Sequence, residues 1–149
     1  MTIFAVRRAL ETGGLDAGLH YLNHRVAHRF TAIFGLDGPS MRNIAFVDKN
    51  EEVMPELMTS IPFEDSFCQF VLRDGQFRAS KTGDDSRLDG HKFKGVLQSY
   101  TGLPLARSDG QLFGTLCHFD FAERQLHDAE FEFLQQVALM LPEFIQTGG

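Results

Sequence analysis

The sequence predicts an α+β domain built on a sheet that is covered on both faces. Three observations carry this. The stretch Ser99–Asp120, "SYTGLPLARSDGQLFGTLCHFD", is two strands around an "RSDG" turn in which Gly110 can take positive φ. Its second strand is apolar on both sides: Leu112, Leu116 and His118 alternate with Phe113, Cys117 and Phe119. A strand of that kind lies inside a sheet with packing on each face. Finally, both ends of the chain carry apolar residues at helical spacing, and a short apolar helix pattern sits between strands in the middle.

Taken in order, Ile3, Val6 and Leu10 repeat as a helix, which Gly13 and Gly14 stop. A second helix starts near Asp16, an acceptable N-cap, with Leu15, Leu19, Leu22 and Val26 as its stripe. "RFTAIFGLDG" is a strand with Phe30, Ala32 and Phe34 on one side, ending in an Asp-Gly turn, and "MRNIAFVDKN" is the next strand. "EEVMPELMTSIPFEDS" is a connection with Pro55 and Pro62 as breakers. "SFCQFVLRDG" is a helix capped by Asp65 or Ser66, with Phe67, Phe70 and Val71 on one face and Asp74-Gly75 at its end. "QFRASKT" is a short strand. "GDDSRLDGHKFKG" is a polar loop with room for a helical turn. After the hairpin, a helix from about His127 to Thr147 presents Leu126, Phe133, Leu134, Val137, Leu141 and Phe144 on a broad face, with a kink at Pro142. Phe131, Ala138 and Ile145 form a second stripe, suited either to a partner helix or to the domain's own first helix.

A chain of 149 residues suits one domain, residues 1–149. At that length about 70% of the unfolded surface is buried and no staples are needed. A net charge of −6 argues against a nucleic-acid or anionic-membrane surface. No run approaches the ~18 apolar residues of a membrane span. "MTIFAVRRALETGG" places its arginines after the apolar residues and does not read as a signal peptide. A cytoplasmic location, where Cys68 and Cys117 stay reduced, is expected. Fifteen Phe and no Trp fit either a Phe core or a Phe-lined cavity.

Candidates for chemistry are few. Cys68 lies at a helix start but next to Glu64 and Asp65, which oppose a thiolate. Cys117 lies mid-strand among large apolar residues, as a small hydrophobe does. His20, His24 and His28 repeat every four residues on the face opposite the leucine stripe, with no carboxylate at metal-ligand spacing. Asp84, Asp85 and Asp89 lack calcium-loop spacing and read as a solvated loop. No catalytic residue, metal site or cofactor is therefore expected. His91, Phe93 and Tyr100 bracket the loop that enters the hairpin, where they could form a ligand lid or an anchor for the loop.

The ordered fragments "SFC", "DSR", "YTGLPL", "SDG" and "GTLC", followed by a closing helix, resemble the GAF domain over nearly the whole chain. The resemblance implies a PAS-like fold: a central antiparallel sheet of five to six strands, terminal helices on one face, and a middle helix plus loops on the other enclosing a small-molecule pocket. It implies a non-catalytic sensory or regulatory module that binds an unidentified small molecule and acts as a homodimer through its terminal helices, by way of Phe131, Ala138 and Ile145. The implied pocket residues are Phe67, Phe70, Val71, His91, Phe93, Tyr100 and Leu103, with aromatics supplying area and His91 a hydrogen bond. Gly90, not a cysteine, precedes His91, so a covalent bilin does not carry over. Nor does a cyclic nucleotide, whose Asn-Lys motif is absent. An interaction module without ligand, and a thiol-dependent enzyme of the free methionine sulfoxide reductase kind centred on Cys68, remain as alternatives.

Overall fold

Periodicity and breakers place nine elements in the computed structural model, which describes residues 3–52 and 59–145. They are α1 (Ile3–His24), β1 (Phe30–Asp37), β2 (Ser40–Asp48), β3 (Ser60–Pro62), α2 (Cys68–Asp74), β4 (Phe77–Ala79), β5 (Ser99–Ala106), β6 (Leu112–Asp120) and α3 (Asp128–Met140). The two helices expected at the N-terminus meet within α1 at Gly14, whose φ of 74° and ψ of −166° interrupt the helical backbone as the Gly13-Gly14 pair implied. Gly75 closes α2 in the left-handed conformation. The expected cap of α2 is corrected: Phe67 occupies that place without a side-chain bond, and the Ser66 hydroxyl turns back to donate to the Phe63 carbonyl at 2.8 Å. Pro142 falls where α3 gives way to a 3-10 turn, Leu141–Phe144. Pro55 and the helix end expected at Thr147 lie outside the described residues. No described helix is long and apolar enough to cross a membrane.

The six strands form one antiparallel sheet in the order β3-β2-β1-β6-β5-β4. The connection expected between β2 and α2 also contains a short strand, β3. Its three residues pair with the start of β2. Period-two alternation divides the apolar residues between two cores. Ile33, Val47, Leu103, Leu105 and Leu116 face α1 and α3, while Phe30, Ala32, Phe34, Tyr100, Cys117 and Phe119 face α2 and the loops. Phe113 breaks the expected alternation. The β5–β6 register shifts between Leu105 and Ala106, which leaves Phe113 as an extra residue and turns it to the helix side with Leu116.

Phe131, Ala138 and Ile145 are 6, 6 and 7% exposed and belong to the core between the terminal helices and the sheet. The second stripe is thus covered by the chain itself. The exposed large apolar residues of the terminal helices are instead Phe4 in α1 and Leu139 in α3, 75% and 86% exposed. His28 also departs from expectation. Helix α1 ends at His24, so His28 does not continue a helical row but turns inward, 1% exposed, beside His118.

Candidate functional site

On the α2 side, the sheet, the turn before α2 and the loop from Ser80 to Gln98 surround a cavity of about 260 Å³. Strands β1 and β6 supply its floor: Phe30, Phe34 and Phe119 point the same way because alternate residues of a strand share a face. Phe67 and Cys68 enter from the start of α2, Ile61 from β3 and Tyr100 from β5. Phe93, Val96 and Leu97 form the roof. Val96 and Phe121, about half exposed, mark the mouth.

The roof loop is held by its own polar groups. The Thr82 hydroxyl donates to the Leu97 carbonyl at 2.6 Å and accepts from the Gly95 amide at 2.8 Å. Asp85 caps the turn Ser86–Leu88 and binds Arg87, whose guanidinium lies 4.3 Å from the centre of the Phe77 ring. Asp89 pairs with Lys94 and Asp84 with Lys81. Asp85 thus ties the lid, while Asp84 and Asp89 stay largely exposed, as a solvated loop implies. Among the described residues no group of three or more His, Cys, Asp or Glu is placed to hold a metal ion.

Of the seven residues expected at the pocket, the structure brings Phe67, Phe93 and Tyr100 to the cavity wall. His91 stands just behind, its ring 4.7 Å from Phe67 and 6.1 Å from Phe93. Its Nδ1 accepts the Phe93 amide proton at 3.0 Å, so the ring proton sits on Nε2, which is buried without a well-formed hydrogen bond. Burial also lowers its pKa. Phe70 packs against Phe77 beyond Phe67, the ring centroids 5.2 Å apart and the planes tilted by 31°. Val71 is fully buried where α2 meets the sheet, against Gly102. Leu103 is on the opposite face, among the terminal helices. Tyr100 and Leu103 differ by an odd number of strand positions, which is the reason they diverge. The same parity could have selected Phe30, Phe34 and Phe119, which sequence reasoning left out. Ile61, Val96, Leu97 and Phe121 carried no comparable signal.

Cys68 lines the cavity, with Sγ 3.2 Å from Thr115 Oγ1 and 3.5 Å from the Tyr100 hydroxyl. Burial pushes its pKa up, and hydrogen bonds from Thr115 and Tyr100 only partly offset this. Burial pushes Cys117 further up. A thiol without a cation to stabilise its anion is a poor nucleophile. Both thiols are expected to react with a disulfide reagent at least ~100-fold more slowly in the native protein than in urea, the protection that about 3 kcal/mol of local opening confers. Rapid native labelling of Cys68 alone would show that the cavity mouth admits the reagent, and rapid labelling of Cys117, which lies off the cavity, that the sheet opens far more easily than its packing implies.

The family model of the GAF domain matches residues 5–141. No curated protein matches the chain. Similar solved structures include the GAF domain from Acinetobacter phosphoenolpyruvate-protein phosphotransferase, with TM-score 0.74, 15% identity and coverage of 95% of this chain and 90% of that one. Free methionine-R-sulfoxide reductase from Neisseria meningitidis, in complex with its substrate, has TM-score 0.72, 16% identity and coverage of 93% and 82%. The type II free methionine-R-sulfoxide reductase from Thermoplasma acidophilum has TM-score 0.68, 16% identity and coverage of 94% and 96%. At these identities the likeness is one of fold.

Proposed function

The chain belongs to the GAF domain family, a family of sensory and regulatory domains, and from that premise we propose that it is a non-catalytic sensor whose ligand is a small molecule seated between the sheet and α2. The observation that carries this reading is the roofed aromatic cavity, with its lid tied at Thr82 and Asp85 and its mouth at Val96 and Phe121. Such enclosed apolar sites with few polar groups are the usual form of a small-molecule pocket. Occupancy would bear on the Ser80–Gln98 loop through Phe93 and Leu97. The thiol-enzyme alternative draws no support from Cys68, whose surroundings oppose the thiolate. Homodimerisation belongs to the same proposal, through the exposed apolar residues of the terminal helices, Phe4 and Leu139, rather than through the covered stripe.

Native mass spectrometry of freshly purified protein tests both parts. A retained mass that is lost on denaturation, and absent from Ile61→Phe, which adds a ring to the cavity, is the expected result. Bare polypeptide in the wild type, together with no change in melting temperature across a small-molecule panel, would overturn the ligand reading. Leu139→Glu is expected to convert dimer to monomer. A monomeric wild type, or a dimer untouched by that change, would remove the proposed interface.

A further inference from the structure

We propose that the cavity takes a small, uncharged aromatic molecule of one or two rings. This rests on the reading of the cavity as a ligand site and adds the chemistry of the ligand.

Charge is the first ground. Of the thirteen residues around the cavity seven are aromatic, and none is Lys, Arg or His. A buried anion would meet no partner, and an unpaired buried charge costs several kcal/mol. The one ionised group at the wall is Asp65, at the rim, and Lys92 lies 3.7 Å from its carboxylate. For a ligand cation the one carboxylate is already paired, and three of the seven rings, Phe30, Phe121 and Phe93, already carry a side-chain cation. The Arg29 guanidinium lies 4.8 Å from the Phe30 centroid and 5.9 Å from that of Phe121, and Lys92 Nζ lies 5.6 Å from that of Phe93.

Hydrogen bonding is the second ground. The Ser66 hydroxyl is committed to the Phe63 carbonyl, and the Cys68 thiol to Thr115 and Tyr100. Little is left to hold the hydroxyls of a sugar or the oxygens of a phosphate, and polar groups buried without partners weaken binding.

Ring geometry is the third. Phe30 and Phe119 stack at 5.0 Å, while Phe121 meets Phe30 edge-on at 84° and Phe67 meets Tyr100 edge-on at 87°. The wall therefore offers both ring faces and ring edges, the two arrangements an inserted aromatic ring uses. A volume of about 260 Å³ lies at the small end for ligand pockets, which bounds the ligand at one or two rings.

The chain has no Trp, so the emission of an added indole is read without background from the protein. Wild type and Ile61→Phe, each shown folded by its melting curve, are titrated with indole, with indole-3-acetate (the same rings with a negative charge) and with tryptamine (the same rings with a positive charge). Calorimetry serves as a second readout. The expected result is a saturable blue shift with indole, lost in Ile61→Phe, with both charged relatives at least about tenfold weaker. A charged relative that binds as tightly as indole and is lost in Ile61→Phe would overturn the ligand class and leave the site standing. No saturable binding of any of the three would overturn the site and the class together.

Discussion

Gly114→Ala is expected to destabilise the fold by about 3 kcal/mol, among the larger effects of a single methyl group. A Cβ at this position would lie 2.3 Å from the Phe34 carbonyl oxygen and 3.3 Å from Gly35 Cα, all backbone atoms of the neighbouring strand. Gly35 and Gly114 are paired across β1 and β6, the two central strands, next to the β1–β2 bulge between Ile33 and Phe34. The clash can be relieved only by parting the strands that carry Phe34 and Phe119, so the cavity floor would shift with it. Gly83→Ala in the lid loop is the control. There the nearest atoms to a Cβ are those of the Gln98 side chain and Gly95 Cα, none closer than 3.5 Å, and an effect within about 0.5 kcal/mol is expected. Urea unfolding of both variants against wild type decides it. A loss below about 1 kcal/mol for Gly114→Ala would mean that the central strands separate at little cost.

Stability is expected to fall steeply between pH 6.5 and about 5, before most carboxylates titrate. His28 and His118 lie ring to ring, 5.8 Å apart, beneath the helix side of the sheet, and both are essentially unexposed. The Thr31 hydroxyl accepts from the Asn23 amide at 2.8 Å and lies 2.6 Å from His118 Nδ1. Thr31 and His118 Nδ1 are thus hydrogen-bonded to each other in whichever direction the ring tautomer allows, and the other ring nitrogen, Nε2, is buried without a hydrogen bond. Burial is the main reason that His118 is lowered to about 3, with His28 and Lys49 adding to it. Burial likewise lowers His28 to about 4. There Asp120 opposes the shift, and Arg124 and Lys49 reinforce it.

Both folded values lie below the unfolded value near 6.5, so in this window the unfolded chain binds protons that the folded chain refuses. The stability from the neutral pair is complete above about pH 6.5. It is lost on acidification at up to about 1.4 kcal/mol per pH unit for each ring. Asp120 acts in a lower window. Burial opposes its charge, but hydrogen bonds from the Ala122 amide, Arg124 and the Arg29 amide prevail and hold it below the usual carboxylate value. Urea midpoints at pH 7, 6, 5 and 4.5 should trace the slope, and His28→Leu should roughly halve it. An unchanged slope in that variant would place the proton uptake elsewhere.

These two expectations differ in what the sequence foretold. The close approach at Gly114 is foreshadowed by a glycine inside an otherwise bulky apolar strand. The histidine pair is not. His28 reads as the third member of a helical row, and only the end of α1 at His24 and the turn after it carry the ring under the sheet.

The same division runs through the molecule. Local rules placed the bend at Gly14, the close of α2 at Gly75, the hairpin turn at Gly110 and the change at Pro142, because each depends on a backbone freedom or a missing donor that the residue itself carries. Alternation placed Phe30, Ala32 and Phe34 on one face, and the resemblance read from the ordered fragments agrees with the family match over residues 5–141. What covers a face was decided only in three dimensions. A one-residue bulge moved Phe113 to the other core, strand parity put Leu103 away from the cavity, and α1 and the sheet buried Phe131, Ala138 and Ile145. Periodicity along the chain states that a side chain will be buried. Which element buries it depends on contacts between residues distant in sequence, and no local pattern contains those.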